Sequence, residues 1–60
     1  MIKVTFKTQN GTYWAVCESM RYVRGSGYFM ERVTQDSASR LPGAWSKTPE
    51  SWKLLSVKEL

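Results

Sequence analysis

Apolar and polar residues alternate from Ile2 to Cys17, with Ile2, Val4 and Phe6 in one run, Tyr13, Ala15 and Cys17 in the next, and Asn10-Gly11 between them. Alternation with a period of two predicts strands with one buried face, and Asn-Gly accepts the positive φ angles of a type I′ turn. The segment therefore reads as a β-hairpin. A two-residue loop at Asn10-Gly11 sets Phe6 opposite Ala15 and Val4 opposite Cys17. One face then carries Ile2, Val4, Phe6, Tyr13, Ala15 and Cys17, and the other carries Lys3, Thr5, Lys7, Trp14, Val16 and Glu18.

The alternation breaks at Glu18-Ser19 and resumes as Met20-Arg21-Tyr22-Val23-Arg24, the kind of phase change that marks a bulge or tight bend. Gly25-Ser26-Gly27 then reverses the chain into a second strand running from Tyr28 to Thr34. With Gly25-Ser26 as the turn, Tyr22 faces Phe29 and Arg21 faces Met30. This places Met20, Tyr22, Phe29 and Val33 inside and leaves Arg21, Val23, Tyr28 and Arg32 outside. Residues 35–47 have no period and are rich in Ser, Pro and Gly, which predicts a long loop held by Leu41 and Trp45. Thr48-Pro49-Glu50 has the N-cap, first-position proline and early acid of a helix start. The residues that follow are apolar all round a helical wheel, which fits one helical turn and a closing strand better than a helix.

These elements predict a single domain over 1–60 and an all-β class, with one short helical turn. The expected architecture is a small antiparallel sheet of four to five strands, curled as an SH3-like or OB-like partial barrel. A chain of this length buries a small core. One cysteine and no histidine exclude an internal disulfide and a Cys/His zinc site, so no metal or cofactor is expected. A second subunit remains as a source of stability, and a homodimer is the expectation. No apolar run approaches the roughly 20 residues needed to span a bilayer, and no signal-peptide pattern opens the chain, which points to a cytoplasmic protein without a membrane role.

Catalysis by a nucleophile and base, a tuned carboxylate pair or a metal finds little material here. Cys17 falls on the inner face, where a thiol is packing rather than chemistry. An enzyme is not expected. The net charge is +4, with nine Lys/Arg against five Asp/Glu, and it favours acidic partners. Arg24, Gly25, Gly27 and Tyr28 partly resemble the RNP1 signature of RNA-recognition domains, but Ser26 and Glu31 stand where that signature has aromatics. The segment is read as a hairpin turn.

What carries function is a set of outward residues. Lys3, Lys7 and Trp14 share an outer face of the first hairpin, and Arg21, Tyr28 and Arg32 share one of the second. Cations for phosphates beside aromatics for bases are the ingredients of nucleic-acid binding by small β domains, of DNA or RNA. Taken singly, each cation is ordinary solvated surface. The alternative is a small protein-binding inhibitor or accessory module, of phage or mobile-element type, that uses Trp14, Trp45 and the 35–47 loop against an intracellular protein.

Overall fold

The computed structural model describes residues 1–36 and 47–60. Among them the two alternating runs form β1 (Ile2–Thr8) and β2 (Gly11–Cys17), followed by β3 (Ser19–Val23), β4 (Gly27–Glu31), a two-residue β5 (Gln35–Asp36) and a closing β6 (Lys53–Glu59). All described pairings are antiparallel. They build a four-stranded sheet in the order β5-β2-β1-β6 and a separate β3–β4 ribbon. The expected all-β class holds, but the strands form two sheets rather than a closed barrel. None of the described residues lies in a helix, so among them there is no helix long and apolar enough to cross a membrane.

The first hairpin differs in register from the sequence expectation. Phe6 pairs with Tyr13, Val4 with Ala15 and Ile2 with Cys17, so the turn is Gln9-Asn10 rather than Asn10-Gly11. Neither Gln9 nor Asn10 has positive φ; Gly11 alone does, at 120°. The Thr8 hydroxyl fixes this turn, accepting the Asn10 N–H at 3.1 Å and donating to the Gly11 carbonyl at 2.9 Å. The slip amounts to two residues, and side chains alternate with period two, so every residue keeps its face. Val4, Phe6, Ala15 and Cys17 are fully buried and Tyr13 nearly so.

The second hairpin slips by one residue, with the opposite consequence. Val23 pairs with Gly27, Tyr22 with Tyr28, Arg21 with Phe29 and Met20 with Met30, around a three-residue turn closed by the Ser26 N–H to the Val23 carbonyl. The inward strand positions are therefore Tyr28 and Met30 rather than Phe29. Tyr28 packs on Phe6 with ring centroids 5.5 Å apart, which corrects its expected outward placement, and Phe29 lies under Arg21 on the outer side. Tyr22, expected inside, is 54% exposed and packs against Tyr28, with ring centroids 4.9 Å apart.

The phase change at Glu18 is where the chain leaves one sheet for the other, tied by the Glu18 N–H to the Glu31 carbonyl. Residues 35 and 36, expected in the loop, instead form β5 on the edge of β2. The expected helical turn at Thr48-Pro49 is a β-turn. Trp52 N–H bonds the Pro49 carbonyl, and the Thr48 hydroxyl accepts the N–H of Tyr28 instead of capping a helix. Thr48 is buried, and its own N–H donates to the Tyr28 carbonyl. Trp52 joins the core beside Phe6 and Tyr13, and the closing strand forms as expected.

Candidate functional site

Opposite residues of an antiparallel pair share a face, so the registers around β1 draw the outer surface of the four-stranded sheet row by row. Lys3 stands between Val16 and Lys58, Thr5 between Trp14 and Ser56, and Lys7 between Thr12 and Lys53. Four lysines thus occupy the two outer rows. The middle row holds an indole and two hydroxyls.

β6 contributes half of these cations through a bulge. Lys53 and Lys58 are separated by an odd number of positions and would face opposite ways on a regular strand. The register against β1 shifts between Thr5 and Phe6, leaving Leu55 unpaired, and this extra residue brings Lys53 round to the side of Lys58. Simple alternation gave no signal of it, which is why these two lysines are absent from the sequence expectation.

Among the described residues, no acid stands in the three rows that these registers draw. Asp36 pairs with Ala15 and Glu59 with Ile2, both on the opposite side of the sheet. Glu18 lies between β2 and β3, and Glu31 ends β4. Two like-charged pairs stand directly across from one another, Lys3 with Lys58 and Lys7 with Lys53, an arrangement that destabilises a sheet. The Lys3 ammonium sits over the Trp14 ring, 4.9 Å from its centroid. An ammonium so placed is attracted by the negative ring face.

The other expected residues lie elsewhere. Arg21 covers Phe29 at 5.6 Å, and Arg32 pairs with Glu18 at 3.0 Å, both side chains being well exposed. The two arginines line a depression of about 410 Å³ together with Glu18, Phe29, Met30 and Glu31. Its charges balance, and an exposed pair of this kind contributes little to stability. Tyr28 faces the core. The six residues therefore do not form one surface: Lys3, Lys7 and Trp14 come together on the sheet, while Arg21, Arg32 and Tyr28 belong to the second ribbon. Trp45 lies outside the described residues.

Cys17 and Tyr13 have the properties of core groups. Both are on the inner face, and burial pushes the ionisation of each upward, with the Asp36 carboxylate adding to the effect at Tyr13. A thiol held in its protonated form is a poor nucleophile. Comparison of the chain with protein-family models, with curated proteins and with solved structures finds no match.

Proposed function

We propose that this protein binds nucleic acid without catalysis, through the lysine face of the four-stranded sheet. The observation that carries the reading is the pair of direct lysine oppositions, Lys3 with Lys58 and Lys7 with Lys53, in paired rows that hold no carboxylate among the described residues. Facing like charges oppose sheet pairing by an amount on the order of 0.2–1 kcal/mol, and a bound polyanion reverses the sign of that term. Trp14 on the same face favours a polyanion with aromatic bases over a bare phosphate.

Lys3, Lys7, Lys53 and Lys58 then neutralise phosphates, and each contact releases condensed counterion. Four contacts to a single strand give a slope of about −3 in log affinity against log salt. Anisotropy of labelled oligonucleotides at several salt concentrations tests this. Lys7→Gln and Lys58→Gln should each make the slope shallower by about 0.7. Failure to bind either single or double strands below about 100 µM in dilute salt removes the proposal, because ordinary non-specific binding is tighter than that.

A second reading, the small protein-binding module, draws on the edge of the same sheet. Leu55, Val57 and Leu60 remain exposed along and just beyond β6, the sheet edge that has no partner among the described residues, and an unpaired edge can accept another chain. Capture of a protein partner that survives nuclease treatment favours this reading. Capture that disappears with nuclease favours the first.

A further inference from the structure

We infer that the ligand of the lysine face is an unpaired strand, its backbone laid along β1 and β6 and one base turned across onto Trp14; this rests on the nucleic-acid reading above and narrows it. The direction follows from where the cations stand. Lys3 and Lys58 are neighbours across adjacent strands, as are Lys7 and Lys53, whereas the two pairs are separated by four residues along β1. Adjacent strands lie about 4.8 Å apart and four residues span about 13 Å, so the positive track runs along the strands. At about 3.4 Å of rise per stacked nucleotide, it accommodates roughly four phosphates.

Trp14 lies to one side of this track, on β2, in the row between the two lysine pairs. A duplex laid on the lysines keeps its bases stacked inside and offers nothing to the indole. An unpaired strand can turn a base outward to it. The neighbouring hydroxyls of Thr5 and Ser56 are short and uncharged, and they leave room above the middle row.

Lys3 links the two halves of the site. Its ammonium covers the Trp14 ring in the free protein, so an arriving base takes the ring and releases the ammonium toward the adjacent phosphate. Removing Lys3 therefore deletes one phosphate contact but also one competitor for the ring. Removing Lys7 deletes a phosphate contact alone.

The test measures binding of a labelled ten-nucleotide single strand and of a hairpin duplex to the wild-type chain and to Trp14→Phe, Trp14→Leu, Lys3→Gln and Lys7→Gln, with circular dichroism confirming the fold of each. The wild type should prefer the single strand by about tenfold or more. Trp14→Leu should lose about 5- to 150-fold on the single strand and little on the duplex, while Trp14→Phe retains most of the preference. Lys3→Gln should cost less affinity than Lys7→Gln although each flattens the salt slope by about 0.7. Equal or tighter binding of the duplex, or equal weakening of both ligands by Trp14→Leu, overturns the unpaired-strand inference and leaves nucleic-acid binding standing. Absence of binding to both ligands overturns the two together.

Discussion

Lys7 on β1 stands directly across from Lys53 on β6, and the two ammonium groups close one end of the cationic face. Their opposition separates stability from function. Lys53→Glu replaces a repulsive cross-strand pair by an attractive one and should stabilise the fold by on the order of 0.2–1 kcal/mol. It also removes one phosphate contact and adds repulsion, so oligonucleotide affinity should fall. Urea melts and anisotropy titrations on the same variant check both signs. A variant that is less stable, or binds as well as the parent, contradicts the role given to this pair.

Half of that face was legible in the sequence. Alternation alone puts Lys3, Lys7 and Trp14 on one side, and they stay there although the register is displaced, because a slip of two residues leaves the pleat in phase. Composition favours Asn10-Gly11 as the turn. The Thr8 hydroxyl supplies local hydrogen bonds that hold Gln9-Asn10 as the turn instead. Lys53 and Lys58 were hidden by the bulge at Leu55, which depends on pairing with β1 and leaves no mark in the alternation of β6.

Gly25 sits at the centre of the second hairpin's turn and Gly27 just after it, and the two carry different constraints. Gly27 has φ of 109°, and a Cβ there would run into the Thr48 carbonyl oxygen, whereas a Cβ on Gly25, at φ of 82°, meets open space. Gly25→Ala should cost about 1–2 kcal/mol, the strain of a left-handed residue alone. Gly27→Ala should cost about 2–4 kcal/mol, since it also pushes buried Thr48 away from Tyr28. Denaturant midpoints of the two variants give the comparison, and equal losses would remove the Thr48 contact from the account.

The second hairpin shows the limit of alternation as a guide. A slip of one residue exchanges the roles of Tyr28 and Phe29, because the turn uses three residues, with Gly25 at its centre and Gly27 just after it. Both strands offer large side chains in each phase, so pattern alone favours neither register. The contact that decides is non-local: Lys47 and Thr48 pair with Phe29 and Tyr28 from some twenty residues downstream. The separation of Arg21 and Arg32 from the lysine face follows from the same ribbon, which belongs to the smaller sheet.

Stability should be lost in alkali. Cys17 and Tyr13 ionise more reluctantly in the fold than their ordinary values of 9.0 and 10.0, chiefly through burial. Above pH 9 the unfolded chain releases these protons while the native chain keeps them, so the unfolded state binds fewer protons and stability falls as pH rises. Below that range these two groups contribute no slope. Each should add up to about 1.4 kcal/mol per pH unit between its two ionisations. Cys17→Ala should flatten the first part of the decline, near pH 9 to 10, and leave the later tyrosine part. Urea melts at pH 7, 9 and 10.5 measure it, and a stability independent of pH to 10.5 would contradict burial of both groups.

The edge of the larger sheet leads us to expect self-assembly. Val57 pairs with fully buried Val4, yet it remains 49% exposed, and β6 has no partner on its other side among the described residues. Long apolar edges invite pairing with another chain. Antiparallel pairing of β6 with a second copy about Val57 sets the two Val57 side chains together and Lys58 against the second copy's Ser56, with no like charges directly opposed. A homodimer with a dissociation constant in about the micromolar range is expected. Such a dimer also extends the lysine face across the new sheet, so its oligonucleotide site should lengthen and its salt slope steepen together. Val57→Lys should yield folded monomer by sedimentation while retaining single-strand binding with the shallower slope. A folded wild-type monomer of 6.9 kDa at about 100 µM would exclude the dimer and leave each chain to bind alone.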